Sequence, residues 1–256
     1  MHNFETIKVT ISEEAARITF NRPPLNILNI QMMEEINEAL IKFQNEEVLK
    51  LIIFDAEGKA FSAGVDILDH KPEKIDKMLE EFHNIFHNLY QLEVPTLAIV
   101  RGMALGGGCE IALFCDMILA TEKAKFGQPE PKVGVFPPVA AVMLPKLIGL
   151  KKSYELLYSG DTIDAAEAYR LGLVNKILEG NDEENQIAEF IKKFTSLSSV
   201  VLKLTKRAIE KGLDKNFTLG LKYVEDIYQK TLMKSEDAIE GLNAFMEKRA
   251  PKWKNK

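Results

Sequence analysis

The 256-residue chain is short of every residue that would mark a metal or disulfide protein. It has two cysteines, Cys109 and Cys115, and four histidines, His2, His70, His83 and His87. Two thiols six positions apart (115 − 109), with no CxxC partner, make neither a disulfide framework nor a zinc site. They read as buried thiols in a reducing compartment, and no metal is expected. Basic blocks are missing too. The net charge is −5 with lysine and arginine scattered, which leaves no footprint for nucleic acid. Long uncharged runs are also absent: Val133 to Pro145 falls short of a bilayer span and carries prolines, so no membrane partner is expected. The opening MHNFETIKVTISEEAARITF is acidic and alternating, without a basic n-region or an apolar h-region. It reads as mature sequence of a cytoplasmic protein.

What is present is ordinary globular material. Apolar residues make up 46% and charged residues 28%, enough to bury a core in one large domain or a domain with an appendage. Ile7, Val9 and Ile11 alternate, Ser12-Glu13-Glu14 is turn-like, and Arg17-Ile18-Thr19-Phe20 follows, which predicts a hairpin. The prolines of Arg22-Pro23-Pro24-Leu25-Asn26 make that segment a loop. From Asn29, a candidate N-cap, Met32, Met33, Ile36, Ala39, Leu40 and Phe43 recur at helical spacing. A buried strand is expected over Val48 to Phe54, a helix over Lys74 to Leu92, a strand over Thr96 to Val100, a short helix over Cys109 to Phe114 and a strand over Met117 to Ala120. Strand and helix alternate to about residue 178, which argues an α/β fold. Beyond Asn181 the pattern is helical: Glu183 to Thr195, Ser199 to Lys211, Phe217 to Leu232 and Glu236 to Lys248.

The sharpest segment is Arg101-Gly-Met-Ala-Leu-Gly-Gly-Gly-Cys-Glu110. A strand enters, Gly106-Gly107-Gly108 turns, and an apolar helix leaves. Glycine permits positive φ and close approach of a ligand, and the first amides of the helix are left without acceptors. Such amides suit a carbonyl oxygen that becomes negative. A phosphate cradle is disfavoured, because there is no GKS or GKT and no GxGxxG with an acidic ribose contact. A tight turn with no ligand is the bland alternative. Glu110 lies in the first turn of that helix, where an acid is favoured for the dipole alone. Glu130, in Phe126-Gly-Gln-Pro-Glu-Pro-Lys-Val-Gly134, is a carboxylate flanked by prolines on an expected loop, and could serve merely as a loop hydrogen-bonder. Ala60-Phe-Ser-Ala-Gly-Val-Asp-Ile67 is, by itself, only a turn with a free amide near Val65.

Taken together these segments resemble the crotonase (enoyl-CoA hydratase/isomerase) superfamily. Asn21-Arg-Pro…Leu25-Asn26, Phe61-Ser-Ala-Gly-Val-Asp-Ile67, Ala104-Leu-Gly-Gly-Gly-Cys-Glu110, Phe126-Gly-Gln-Pro-Glu130, Gly172-Leu-Val174 and Glu240-Gly…Ala244-Phe-Met-Glu-Lys-Arg249 stand in that family's order, across nearly the whole chain. The resemblance implies an α/β spiral of repeated ββα units over residues 1–195 and a helical oligomerisation region over 196–256, giving homotrimers or hexamers. It implies an acyl-CoA thioester as substrate and no cofactor. It further implies that the amides of Val65 and Gly107 form an oxyanion hole, and that Glu110 and Glu130 are the catalytic pair. Glu110 would help activate water, and Glu130 would cycle as proton donor and base. Arg22, Pro24, Leu25, Ala63, Asp66, Ile67, Leu68, Gly106, Pro129 and Phe136 would contact the CoA or acyl group.

The chain departs from the family just after Glu130. In place of the usual GAGGTQRL it reads Val133-Gly-Val-Phe-Pro-Pro-Val-Ala-Ala-Val-Met-Leu-Pro145. Proline and bulky aliphatics there should reshape and stiffen the acyl pocket, unless they merely pack a different core. With Arg22-Pro-Pro-Leu-Asn-Ile-Leu28, the Val135-Phe-Pro-Pro-Val-Ala140 stretch resembles the cyclohexa-1,5-diene-1-carbonyl-CoA hydratases. A plain short-chain enoyl-CoA hydratase or isomerase is the first alternative, and a catalytically idle binding scaffold the second.

Overall fold

The computed structural model describes residues 4–12, 14–213 and 215–256. The expected hairpin is β1 (Ile7–Ile11) antiparallel to β2 (Ala15–Phe20). Glu13 of its turn, like His2, lies outside the described residues. Helix α1 (Ile30–Phe43) starts where Asn29 accepts a hydrogen bond from the Met32 N–H.

Three ββα units follow, and their order explains the spiral. They are β3 (Leu51–Ala56), β4 (Ala60–Ser62) and α2 (Ile75–Leu92); β5 (Thr96–Val100), β6 (Met103–Leu105) and α3 (Gly107–Phe114); and β7 (Met117–Thr121), β8 (Lys125–Gly127) and α4 (Pro138–Ile148). The first strand of each unit enters a six-stranded sheet of order β1-β2-β3-β5-β7-β10, where β10 is Lys176–Leu178. The second enters a four-stranded sheet of order β4-β6-β8-β9, where β9 is Thr162–Asp164. Each unit is thus stacked one strand further along both sheets, parallel to its predecessor.

Alternation along β5 shows how the large sheet is covered on both faces. Ala98 and Val100 join the main core, while Leu97 and Ile99 join a second cluster with Leu51, Ile53, Leu119 and Ile187. Ile187 comes from α7 (Glu183–Thr195), which closes the outer face. Both faces being apolar, the strand reads as a continuous hydrophobic run rather than an alternating one. Each such buried side chain contributes roughly 1.5–3 kcal/mol.

Helices α8 (Ser199–Gly212), α9 (Phe217–Lys230) and α10 (Glu236–Met246) form the C-terminal region. Helix α8 is pinned to the sheet body by ions: buried Lys206 Nζ lies 2.9 Å from Asp116 Oδ2, and Arg207 pairs with Glu93. Several boundaries differ from expectation. The strand expected from Val48 begins at Leu51, because Glu46 to Val48 turn and Val48 is exposed. Helix α3 starts two residues earlier than expected, at Gly107. Glu130 sits not on an open loop but at the start of a 3-10 turn, Glu130–Val133. Apart from Pro137 and the residues just before it, the rewritten segment after Glu130 is a helix, α4, followed by α5 (Leu150–Ser159) and the short α6 (Ala165–Arg170).

Candidate active site

The site is built where β6 turns into α3. Gly106 is the N-cap of α3 with φ 51° and ψ −129°, and its N–H is spent on the Gly127 carbonyl at 2.9 Å. The next amide, Gly107, is the first of the helix and has no intrahelical acceptor. A Cβ built on Gly107 would stand 2.7 Å from Val65 Cγ2 and 3.0 Å from Phe82 Cζ, so only glycine lets the turn close against both.

The Val65 turn lies alongside. Leu28 bridges it: the Leu28 N–H donates to the Gly64 carbonyl and the Asp66 N–H to the Leu28 carbonyl, each at 2.9 Å. This pattern leaves the Val65 N–H out. A Cβ built on Gly64 would be 3.9 Å from the Gly107 nitrogen, so the two turns touch. Among the described residues neither the Val65 nor the Gly107 N–H donates to a backbone or side-chain oxygen.

Two carboxyls stand at the same corner. Glu110, one turn into α3, is 2% exposed, and its Oε1 accepts a hydrogen bond from the Ala140 N–H at 2.9 Å. Burial pushes its pKa up to about 7, with the neighbouring Glu130 charge adding and the Ala140 amide opposing. Glu130 Oε1 lies against Gly106, 2.6 Å from where a Cβ on that residue would be. Its Oε2 is buried and unpartnered among the described residues, and burial raises its pKa as well. The Glu130 charge adds to burial in disfavouring ionisation of Glu110, so Glu110 keeps its proton to near neutral pH.

That burial has a thermodynamic signature. A carboxyl whose folded pKa is raised from 4.5 to about 7 stabilises the fold below about pH 4.5 and loses that contribution as pH rises through 7. Glu110→Gln should therefore unfold at a temperature several degrees higher than the unmodified protein at pH 8, with the gap closing at pH 5, in paired calorimetric scans. An equal gap at both values would mean that Glu110 titrates normally.

The remaining expected contacts are spread around this corner. The Arg22 guanidinium donates to the Ile27 carbonyl at 2.8 Å and lies 3.9 Å from Asp66 Oδ2. Asp66 Oδ1 accepts from the Leu68 N–H, leaving Ile67 and Leu68 exposed. Pro24 is exposed, while the half-buried Leu25 carbonyl accepts the Ala63 N–H. Pro129 is half-buried beside Glu130. Phe136 is 71% exposed, whereas the adjacent Pro137 is buried. Three contributors had no individual signal in the sequence: Phe82 under Gly107, the Ala140 amide, and Asn26. Buried Asn26 ties the Arg22 loop to the Glu57 and Ala60 carbonyls at 2.7 and 2.8 Å. Among the described residues no group of three histidine, cysteine or acidic side chains is placed to hold a metal ion, and no helix is long and apolar enough to cross a membrane.

Comparison with known proteins identifies the family. The profile described as enoyl-CoA hydratase/isomerase matches residues 10–256. The chain belongs to that family. It is 35% identical over 252 residues to the cyclohexa-1,5-dienecarbonyl-CoA hydratase of Thauera aromatica, covering 98% of this chain and 97% of that one. It is 36% identical over 242 residues to the short-chain-enoyl-CoA hydratase of Clostridium acetobutylicum, covering 92% of each. The crystal structure of an enoyl-CoA hydratase from Bacillus anthracis superposes with a TM-score of 0.92 at 30% identity, over 98% of this chain and all of that one. The crotonase spiral expected from the motifs is the fold observed.

Proposed function

We propose that this enzyme is a hydro-lyase that adds water to a conjugated acyl-CoA thioester, with cyclohexa-1,5-diene-1-carbonyl-CoA as substrate and 6-hydroxycyclohex-1-ene-1-carbonyl-CoA as product. The observation that carries hydration is the meeting of Glu110 and Glu130 beside two free amides. A thioester conjugated to C=C is a Michael acceptor. When water adds, negative charge moves to the thioester oxygen, where each preorganised N–H is worth about 3 kcal/mol. Glu110 takes the proton from water, and Glu130 delivers one to carbon. No cofactor is required by this chemistry. An idle scaffold would have no reason to keep two buried, mutually repelling carboxyls.

The ring substrate is supported by the Arg22-Pro-Pro-Leu-Asn-Ile-Leu28 and Val135-Phe-Pro-Pro-Val-Ala140 segments and by the Thauera relative. Pro137, Pro138 and Val139 lead directly into the helix that touches Glu110, so they stiffen the wall nearest the chemistry. A flat ring loses less entropy against a stiff wall than a flexible chain does. The Clostridium relative favours a second reading, a short-chain enoyl-CoA hydratase. In an assay reading the mass of one added water, the cyclic dienoyl-CoA should exceed crotonyl-CoA by at least about 100-fold in kcat/KM. Replacing Phe136-Pro137-Pro138 by Pro-Gly-Ala should narrow that ratio. Equal turnover of the two substrates by the unmodified enzyme would select the second reading.

We also place the protein in the cytoplasm as a homotrimer or a dimer of trimers. On α9 and α10, Phe217, Leu219, Ile239, Leu242 and Phe245 are exposed in the single chain, Phe245 by 85%. Apolar surface on this scale calls for a partner, and cyclic closure satisfies it. Light scattering at micromolar concentration should give a mass three or six times that of the 28.9 kDa chain; a monomer mass would refute the assembly.

A further inference from the structure

Helix α4 begins without a cap of its own. Its N-cap is Pro137, which has no capping side chain, and its first residue is Pro138, which has no N–H. The first intrahelical bond runs from the Ala141 N–H to the Pro137 carbonyl at 3.0 Å. The Val139 and Ala140 amides are therefore left over at a positive helix end. The Ala140 N–H points at Glu110 Oε1 from 2.9 Å, inside the protein, where no exposed solvent competes.

We propose that α4 is the positioning element for Glu110: the Ala140 N–H fixes the carboxylate's orientation and favours its ionised form, and Pro138 reserves this helix end for it. Ala140 is a positioning residue acting through its backbone. The inference rests on the reading of Glu110 as the base that takes a proton from water. It assigns a task to the rewritten segment beyond shaping the acyl pocket, since the same residues that wall the pocket also hold the base.

Few other charges reach the carboxyl. The 3-10 turn brings Glu130. Strands β4, β5 and β6, packed against α3, carry no ionisable side chain. On α4 the only one is Lys146, in its last turn, about 9 Å along the axis from Ala140. Helix α2 presents Phe82 to Gly107 and Phe86 to Phe114, with His83 beside Phe82 held neutral by burial. Cys109 is kept protonated by burial. The Ala140 amide, with Val139 behind it, is thus the main force favouring the ionised base.

The test replaces the Ala140 amide by an ester, with lactic acid in place of alanine, which deletes one N–H and keeps the side chain. Ala140→Pro, tolerated best in a first helical turn, is the second variant. Carbon-13 NMR of labelled glutamate carboxyls, assigned with Glu110→Gln, follows the Glu110 titration directly. Its midpoint should rise by about one pH unit, as loss of a hydrogen bond to a charged group requires, and the acid limb of kcat/KM should move with it. Ala140→Gly, which keeps the N–H, should titrate where the unmodified protein does. An unmoved midpoint in the ester variant, or an equal rise in Ala140→Gly, overturns the proposal. A midpoint that rises in a protein unable to hydrate any acyl-CoA upholds the positioning and discards the hydratase reading instead.

Discussion

Glu130→Gln should lower hydration turnover by two to four orders of magnitude, while a saturated acyl-CoA still binds within about threefold of its original affinity. The two halves of this result have separate physical origins. In the function proposed above, binding draws on the Val65 and Gly107 amides and on the Arg22 to Leu28 and Val65 to Leu68 segments, and the substitution lies in none of them. Turnover needs a group that gives up a proton to carbon and takes another back. Glutamine matches the shape of a protonated glutamate and can donate a hydrogen bond, but it cannot release the proton. Burial raises the Glu130 pKa and so favours its protonated form, which the amide imitates sterically and not chemically. Steady-state hydration rates set beside calorimetric binding measure the two halves on one preparation. Full turnover in the variant would take Glu130 out of the reaction, leaving Glu110 to act alone.

Much of this was legible in the sequence because the strongest signals are local. The stripe from Met32 to Phe43, the apolar run of β5 and the glycine triplet each declare a periodicity or a backbone need within a dozen residues; α1 and β5 are where they were expected, and α3 differs only in taking Gly107 and Gly108 into its first turn. The four-stranded sheet was not legible. Its strands have three residues each, Ala60–Ser62, Met103–Leu105, Lys125–Gly127 and Thr162–Asp164, too few to show alternation, and pairing between distant segments creates them. Helix α4 was hidden for a different reason. Three prolines in nine residues, Pro137, Pro138 and Pro145, disfavour a helix in general, although Pro138 sits at the first helical position, where the missing N–H costs nothing. Missing that helix meant missing the Ala140 amide, which donates to Glu110 Oε1 at 2.9 Å from outside its own helix.

Gly106→Ala tests the same corner from the backbone side, and turnover should fall by about a hundredfold or more with only a modest loss of stability. The new methyl would lie 2.6 Å from Glu130 Oε1 and 3.4 Å from its Cδ, with Gly64 Cα at 3.6 Å. Of these neighbours only the carboxyl can yield, since it is the end of a flexible side chain. The remaining cost is backbone strain: φ 51° with ψ −129° is a glycine conformation, and holding alanine there costs about 1–3 kcal/mol. For a chain of this size that lowers the melting temperature by roughly 2–10 °C and leaves the protein folded at assay temperature. Glu130, swung aside by about 1 Å, would no longer reach the reacting carbon, and displacement on that scale costs on the order of a hundredfold. Combining the two changes separates the causes. If the methyl acts through the carboxyl, Gly106→Ala added to Glu130→Gln should reduce turnover by less than about threefold further, because the acid is already lost. If the full hundredfold persists on that background, the methyl disturbs the Val65 and Gly107 amides instead, and the rate loss belongs to the oxyanion hole.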